Sequence, residues 1–262
     1  MKISEVTKII EEQVPGGLGS GTLDTFKTGD PSETVRGIVV TFLATGRVLE
    51  RAAQLGANFV ITHEPTYYEH ADRTAWLEGD AVYAAKKSLI EKNGLTIWRF
   101  HDGCHKQKPD SILAGMVQKL GWKFDPASPR ETVFSIEPQT LKSLAQFCKE
   151  RLGIGMVRVA GDLDAACSRA GFLVGAWGGT RQMQLFKDAD VDVVLCGESA
   201  EWETCEYVRD ATYFGRKKGL IILGHANSEE PGMEWVAAWL RDLIPTEIPI
   251  TYIPAGDPFQ YI

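Results

Sequence analysis

The chain has 262 residues, 44% of them hydrophobic and 24% charged, which is ordinary globular composition and enough to bury a core without disulfide staples. Its net charge of −7, with no cluster of lysine and arginine, argues against a nucleic-acid-binding face. The five cysteines are odd in number and contain no Cys-x-x-Cys, no apolar run reaches membrane-spanning length, and a reducing cytoplasm is the expected compartment.

The first residues, through Pro15, read as a short amphipathic helix without the apolar core of a signal peptide. The glycines at 16, 17, 19 and 21 miss the dinucleotide-binding spacing and predict a flexible loop. Gly37 to Phe42 is a buried-strand pattern. Residues 46 to 55 place Val48, Leu49, Ala52 and Leu55 at helical spacing, with Gly56 closing the helix. A strand from Asn58 then ends abruptly in His63-Glu64-Pro65, and a strand from Leu95 ends at His101. A helix is predicted over 111–119. Pro126 and Pro129 mark the junction between a first α/β repeat, 1–129, and a second, 130–262. The second opens with a strand (Thr132 to Ile136), a helix (Thr140 to Leu152) and a strand (Met156 to Ala160). A strand at Gly171, a helix over 180–190 and a strand from Asp192 ending in Gly197-Glu198 follow. A last strand from Leu220 ends at His225, before a helix over 233–244 that places Trp235, Trp239, Leu240 and Leu243 on one face.

The two halves keep the same intervals. Gly37 to His63 is the same span as Gly171 to Gly197, so Glu64 falls opposite Glu198, and each half continues with a strand ending in histidine. Equal spacing over four elements points to duplication rather than to the general likeness of β-α-β segments.

Imidazoles and carboxylates gather at the ends of apolar strands, the edge where ligands sit in open α/β sheets. His63-Glu64 alone would more often be a surface dipeptide. His225 and Glu229, four apart, fit a metal pair or a helix-capping loop equally well, with Ser228 as the cap and Pro231 in the first turn. His101, Asp102, Cys104 and His105 offer four ligand types in five residues. Cys104 has no second cysteine spaced to join it and reads as a small apolar filler.

In combination these residues resemble the dinuclear-metal-centre family named for the yeast Ngg-interacting factor three, whose members carry the label GTP cyclohydrolase I type two. Its pattern has Thr-His-His-Pro at a strand end, His-Thr-Asn-x-Asp, a Thr-Gly-Glu turn and a late Gly-His-x-x-Ser-Glu. The chain has Thr62-His63-Glu64-Pro65, then His101 to His105, Cys196-Gly197-Glu198 and Gly224-His225 through Ser228-Glu229. The resemblance implies two intertwined, duplicated α/β repeats with mixed sheets and a metal site at strand C-terminal ends between the repeats. It also implies a homo-oligomer, frequently a toroidal hexamer. Carried over by position, the metal ligands are His63, Glu64, His105, His225 and Glu229, with Asp102 in reserve. Glu64 stands where the family has histidine and His105 where it has aspartate, so three imidazoles and two carboxylates remain.

Two divalent transition-metal ions per chain, drawn from Zn, Fe, Mn and Ni, are therefore expected, with Glu198 and His101 as general base or outer partners of the ligands. The function expected is a metal-dependent hydrolase of a nucleotide or similar small polar molecule. The alternative is a metal-binding scaffold that acts through protein partners and catalyses nothing. Neither nucleic acid nor membrane is an expected partner.

Overall fold

The computed structural model describes residues 1–125 and 131–262. The junction expected at Pro126 and Pro129 lies outside the described residues. Contacts divide the chain into two compact units: residues 1–112 with 232–255, and residues 113–231 with 256–262.

The first unit is built on a five-stranded sheet. Its strands are β1 (Phe26–Thr28), β2 (Ile38–Thr41), β3 (Phe59–Thr62), β4 (Thr96–Arg99) and β10 (Ile250–Tyr252), in the order β1-β4-β3-β2-β10. β2, β3, β4 and β10 run parallel, and β1 is antiparallel to β4. Every residue of β2, β3 and β4 is buried, as expected of strands covered on both faces by crossover helices. α2 (Gly46–Gln54) starts where the Thr45 side chain accepts a hydrogen bond from Val48 N–H. It lays Val48, Leu49 and Ala52 against Val39 and Val60 of the sheet. α3 (Ala81–Lys92) adds Ile90 to the same core. Registers Thr41↔Thr62 and Thr62↔Arg99 bring the C-terminal ends of β2, β3 and β4 level, so the residues after them leave from one edge.

The second unit repeats the scheme. Its strands are β5 (Val133–Thr140), β6 (Arg158–Ala160), β7 (Ala166–Leu173), β8 (Val193–Cys196) and β9 (Gly219–Ile222), in the order β5-β7-β8-β9-β6. β7, β8 and β9 are parallel, and β6 is antiparallel to β9 as β1 is to β4. The flank differs: β5 pairs antiparallel with β7, where β10 is parallel to β2. α7 (Gly179–Asp188) and α8 (Glu206–Tyr213) bring Leu185, Phe186 and Val208 onto Val194, Leu220 and Ile222. Two mixed sheets with matching parallel centres bear out the α/β class and the duplicated look of the halves.

The last helix departs from expectation. α9 runs Leu243 back to His225, eight residues before the predicted start, with Pro231 inside it. A proline inside a helix loses one N–H bond and crowds the carbonyl four residues back, and it is tolerated only where the surroundings hold the helix. Ser228 is accordingly no N-cap. Its hydroxyl donates to the His225 carbonyl at 2.8 Å and accepts from Gly175 N–H at 2.9 Å.

Candidate metal centre

In the first unit, β3 and β4 deliver their chemistry side by side. His63 follows the last residue of β3 and is fully buried. His101 follows Phe100 after β4, and α4 (Asp102–Lys106) turns His105 back toward both. The His63 and His101 rings stack with centroids 4.6 Å apart, and His105 meets them edge-on at 5.1 and 5.0 Å. One ring nitrogen from each lies within 4.8 Å of those of the other two.

Each ring is oriented by an oxygen on its Nδ1. His63 Nδ1 lies 3.2 Å from the Phe100 carbonyl, His101 Nδ1 2.9 Å from Asp102 Oδ1, and His105 Nδ1 2.8 Å from Asp110 Oδ2. A carbonyl or carboxylate oxygen only accepts, so Nδ1 carries the hydrogen and Nε2 the lone pair in each neutral ring. Burial, then the His101 and His105 neighbours, push the His63 pKa well below its ordinary value, against the pull of the Phe100 carbonyl. Burial likewise takes His101 down to about 4, although its hydrogen bond to Asp102 pulls the other way. Both rings are neutral at physiological pH, the state in which imidazole binds metal. Burial acts to raise the Asp102 carboxyl, but bonds from His101, Leu23 N–H and the Thr22 hydroxyl outweigh it and bring the pKa down to about 2. The donor set thus fits a metal ion: neutral rings, defined tautomers and anchored outer partners.

Glu64 spans the cluster and the interior. Its Oε1 is 3.8 Å from His101 Nε2, and its Oε2 is 3.6 Å from the buried guanidinium of Arg99. Asp24 has no local signal in the sequence. Its carboxylate accepts from the backbone N–H groups of His101, Asp102 and Gly103 at 2.7–2.8 Å, and so caps α4. Gly103 is required there, because a Cβ would run into the Phe100 ring. Cys104 is a buried thiol whose Sγ lies 3.2 Å from the Phe100 carbonyl, which bears out its filler role.

The second unit holds the other expected residues. His225 opens α9 between two carboxylates, with Nδ1 2.7 Å from Glu198 Oε1 and Nε2 3.1 Å from Glu229 Oε2. Glu229 is nearly buried, whereas Glu198, just after β8, is exposed. The turn after β7 makes room for this group. A Cβ on Gly175, at φ +63°, would strike Glu229, and one on Gly197 would strike Ser228. The structure therefore gathers His63, Glu64, His101 and His105 in one unit and Glu198, His225 and Glu229 in the other. Asp102 turns to His101 Nδ1 and the Thr22–Leu23 turn instead of toward the other two rings.

The model of the Duf34/NIF3 family (NGG1p interacting factor 3) matches residues 1–258. The chain belongs to this family. A Clostridium perfringens protein named GTP cyclohydrolase 1 type 2 homolog is 23% identical over the whole of both chains. Its namesake from Clostridium acetobutylicum is 24% identical over 89% of this chain and 87% of its own. The same fold is found in the crystal structure of a Bacillus cereus protein related to NIF3, at TM-score 0.80 and 16% identity. There the match covers 100% of this chain and 99% of the other. No helix among the described residues is long and apolar enough to cross a membrane.

Proposed function

We propose that this Duf34/NIF3 chain binds two divalent transition-metal ions and hydrolyses a nucleotide or a similar small polar molecule. The observation that carries the proposal is the trio of His63, His101 and His105, with a ring nitrogen of each within 4.8 Å of those of the other two and Nδ1 of each beside an oxygen. Glu64 joins the trio, and His225 with Glu229 forms an imidazole–carboxylate pair of its own in the second unit. When bound, a divalent ion supplies Lewis-acid activation of water and of the bond under attack. Imidazole ligands suit Zn, Fe and Ni, while the carboxylates extend the set to Mn.

The remaining roles belong to the chain's own groups. Glu198, with Oε1 2.7 Å from His225 Nδ1 and its side chain open to solvent, is the candidate general base. Asp102 and Asp110 fix ring orientation. The name of the Clostridium relatives supports a purine nucleotide as the substrate class.

Elemental analysis of purified and reconstituted protein, followed by turnover of a nucleotide panel with each metal, tests both parts. Close to two equivalents of metal and metal-dependent nucleotide turnover are expected. Less than one equivalent after reconstitution overturns the metal site, and full loading without turnover overturns the hydrolase.

A further inference from the structure

Arg99 occupies the last position of β4, opposite Thr62 in the register, and none of it reaches solvent. Burying a guanidinium is costly unless its charge and its donors are satisfied. Arg99 does this with the loop that follows β3. Its Nε donates to the His63 carbonyl at 2.9 Å, its Nη1 donates to the His70 carbonyl, and its Nη2 lies 3.6 Å from Glu64 Oε2. Nη2 makes no hydrogen bond among the described residues, so its stake in the loop is the charge of Glu64. From α3, Lys86 adds a fourth tie, to the Thr66 carbonyl. The loop from His63 to His70 is therefore held from below by two buried cations.

We infer that Arg99 is the positioning residue for Glu64 and His63, and that Arg99 and Glu64 act as one coupled unit. The inference rests on the metal-binding proposal above. Phe100 O, Asp102 and Asp110 hold the three rings, and Arg99 holds the fourth group, turning Glu64 Oε1 to His101 while it retains Oε2. This accounts for the carboxylate at position 64. A neutral imidazole there would leave a buried guanidinium without its counter-ion. Glu64 is fixed by the interior as well as by any metal. Exchange of Glu64 and His105 for the histidine and aspartate of the family pattern therefore fails to restore a working site while Arg99 remains.

The test is a double-mutant cycle on Glu64→Gln, Arg99→Met and the pair, with Arg99→Lys as the conservative variant. Two readouts are taken on the full chain: thermal melting in excess chelator, and titration with cobalt(II) followed by its visible spectrum. In chelator, each single variant should lower the melting temperature by on the order of 10 °C, and the pair should lose less than the sum of the singles. In the titration, Arg99→Met should weaken cobalt binding roughly 10- to 100-fold and alter the spectrum. Arg99→Lys should recover part of the affinity, and Arg99→Met should add little once Glu64 is glutamine. Strictly additive melting losses overturn the coupled pair. Unchanged cobalt affinity and spectrum in Arg99→Met and Arg99→Lys overturn the positioning role, whichever melting result accompanies them. If wild-type protein binds no cobalt, the metal-binding proposal falls, while coupling in chelator still decides the pair.

Discussion

At the scale of single residues, the candidate site is a matter of which nitrogen faces inward. Asp102 illustrates it. Its Oδ2 accepts from Thr22 and Leu23, and its Oδ1 accepts from His101. Asparagine at this position has one oxygen, which the Thr22 and Leu23 donors claim, so its amide would turn N–H groups toward His101 Nδ1. The ring would then have to accept at Nδ1 and carry its hydrogen on Nε2, which removes the coordinating lone pair. Asp102→Asn should weaken metal binding by roughly 10- to 100-fold with little change in fold. Isothermal titration of the variant checks this, and wild-type affinity would show that His101 is not a ligand. The sequence displayed the histidines because they follow apolar strands. It did not display their partners. Asp24 is 77 residues from His101, the Phe100 oxygen is backbone, and nothing in the isolated run from Thr96 to Phe100 marks Arg99 as buried beside Glu64.

At the scale of elements, legibility followed burial. β2, β3, β8 and β9 were readable because a strand covered on both faces is a continuous apolar run. β10 is three half-buried residues, and α3 spreads its alanines and lysines without a strong apolar stripe, so neither announced itself. The start of α9 was hidden by Pro231, whose usual place in a first turn invites a late boundary. α4 is only five residues long and has its N-terminal N–H groups satisfied from outside by Asp24. Such a turn cannot persist on its own propensity. Asp24→Ala would leave unpaired donors at His101, Asp102 and the buried Gly103 and should cost on the order of 3 kcal/mol. Urea unfolding measures the loss, and hydrogen exchange should show faster exchange through 101–106. Unchanged protection of those amides would mean that α4 is held by something else.

At the scale of the whole molecule, two properties are open to measurement. The first is self-association. Trp98 is buried, but Trp76, Trp177 and Trp202 stay exposed, together with Tyr213 and Phe214. Large exposed aromatics are a feature of surfaces that meet a partner. We propose that the chain forms a closed homo-oligomer, which light scattering at micromolar concentration should reveal. A strict monomer would reject it.

The second is the pH dependence of stability in excess chelator. His63 and His101 are neutral in the folded chain, with His101 titrating at about 4. Once unfolded, both rings return to about 6.5. Between those values the unfolded chain binds more protons than the folded one, so acid favours unfolding. Stability should be fully present above about pH 7 and fall as pH drops from 6.5 toward 4. His101 alone accounts for roughly 3 kcal/mol of that fall, because a tenfold difference in proton affinity between the two states is worth about 1.4 kcal/mol. Asp102 does not confuse the measurement. Its folded pKa of about 2 lies below the ordinary 3.8, so the stability it contributes is lost only beneath pH 4. Urea midpoints at pH 7.5, 6.0 and 5.0 should therefore decline in order for the wild type. His101→Gln cannot take up that proton and should show a visibly flatter profile. A wild-type midpoint constant across this range would mean that the imidazole cluster is not buried in its neutral form, and the donor geometry proposed for the metal would go with it.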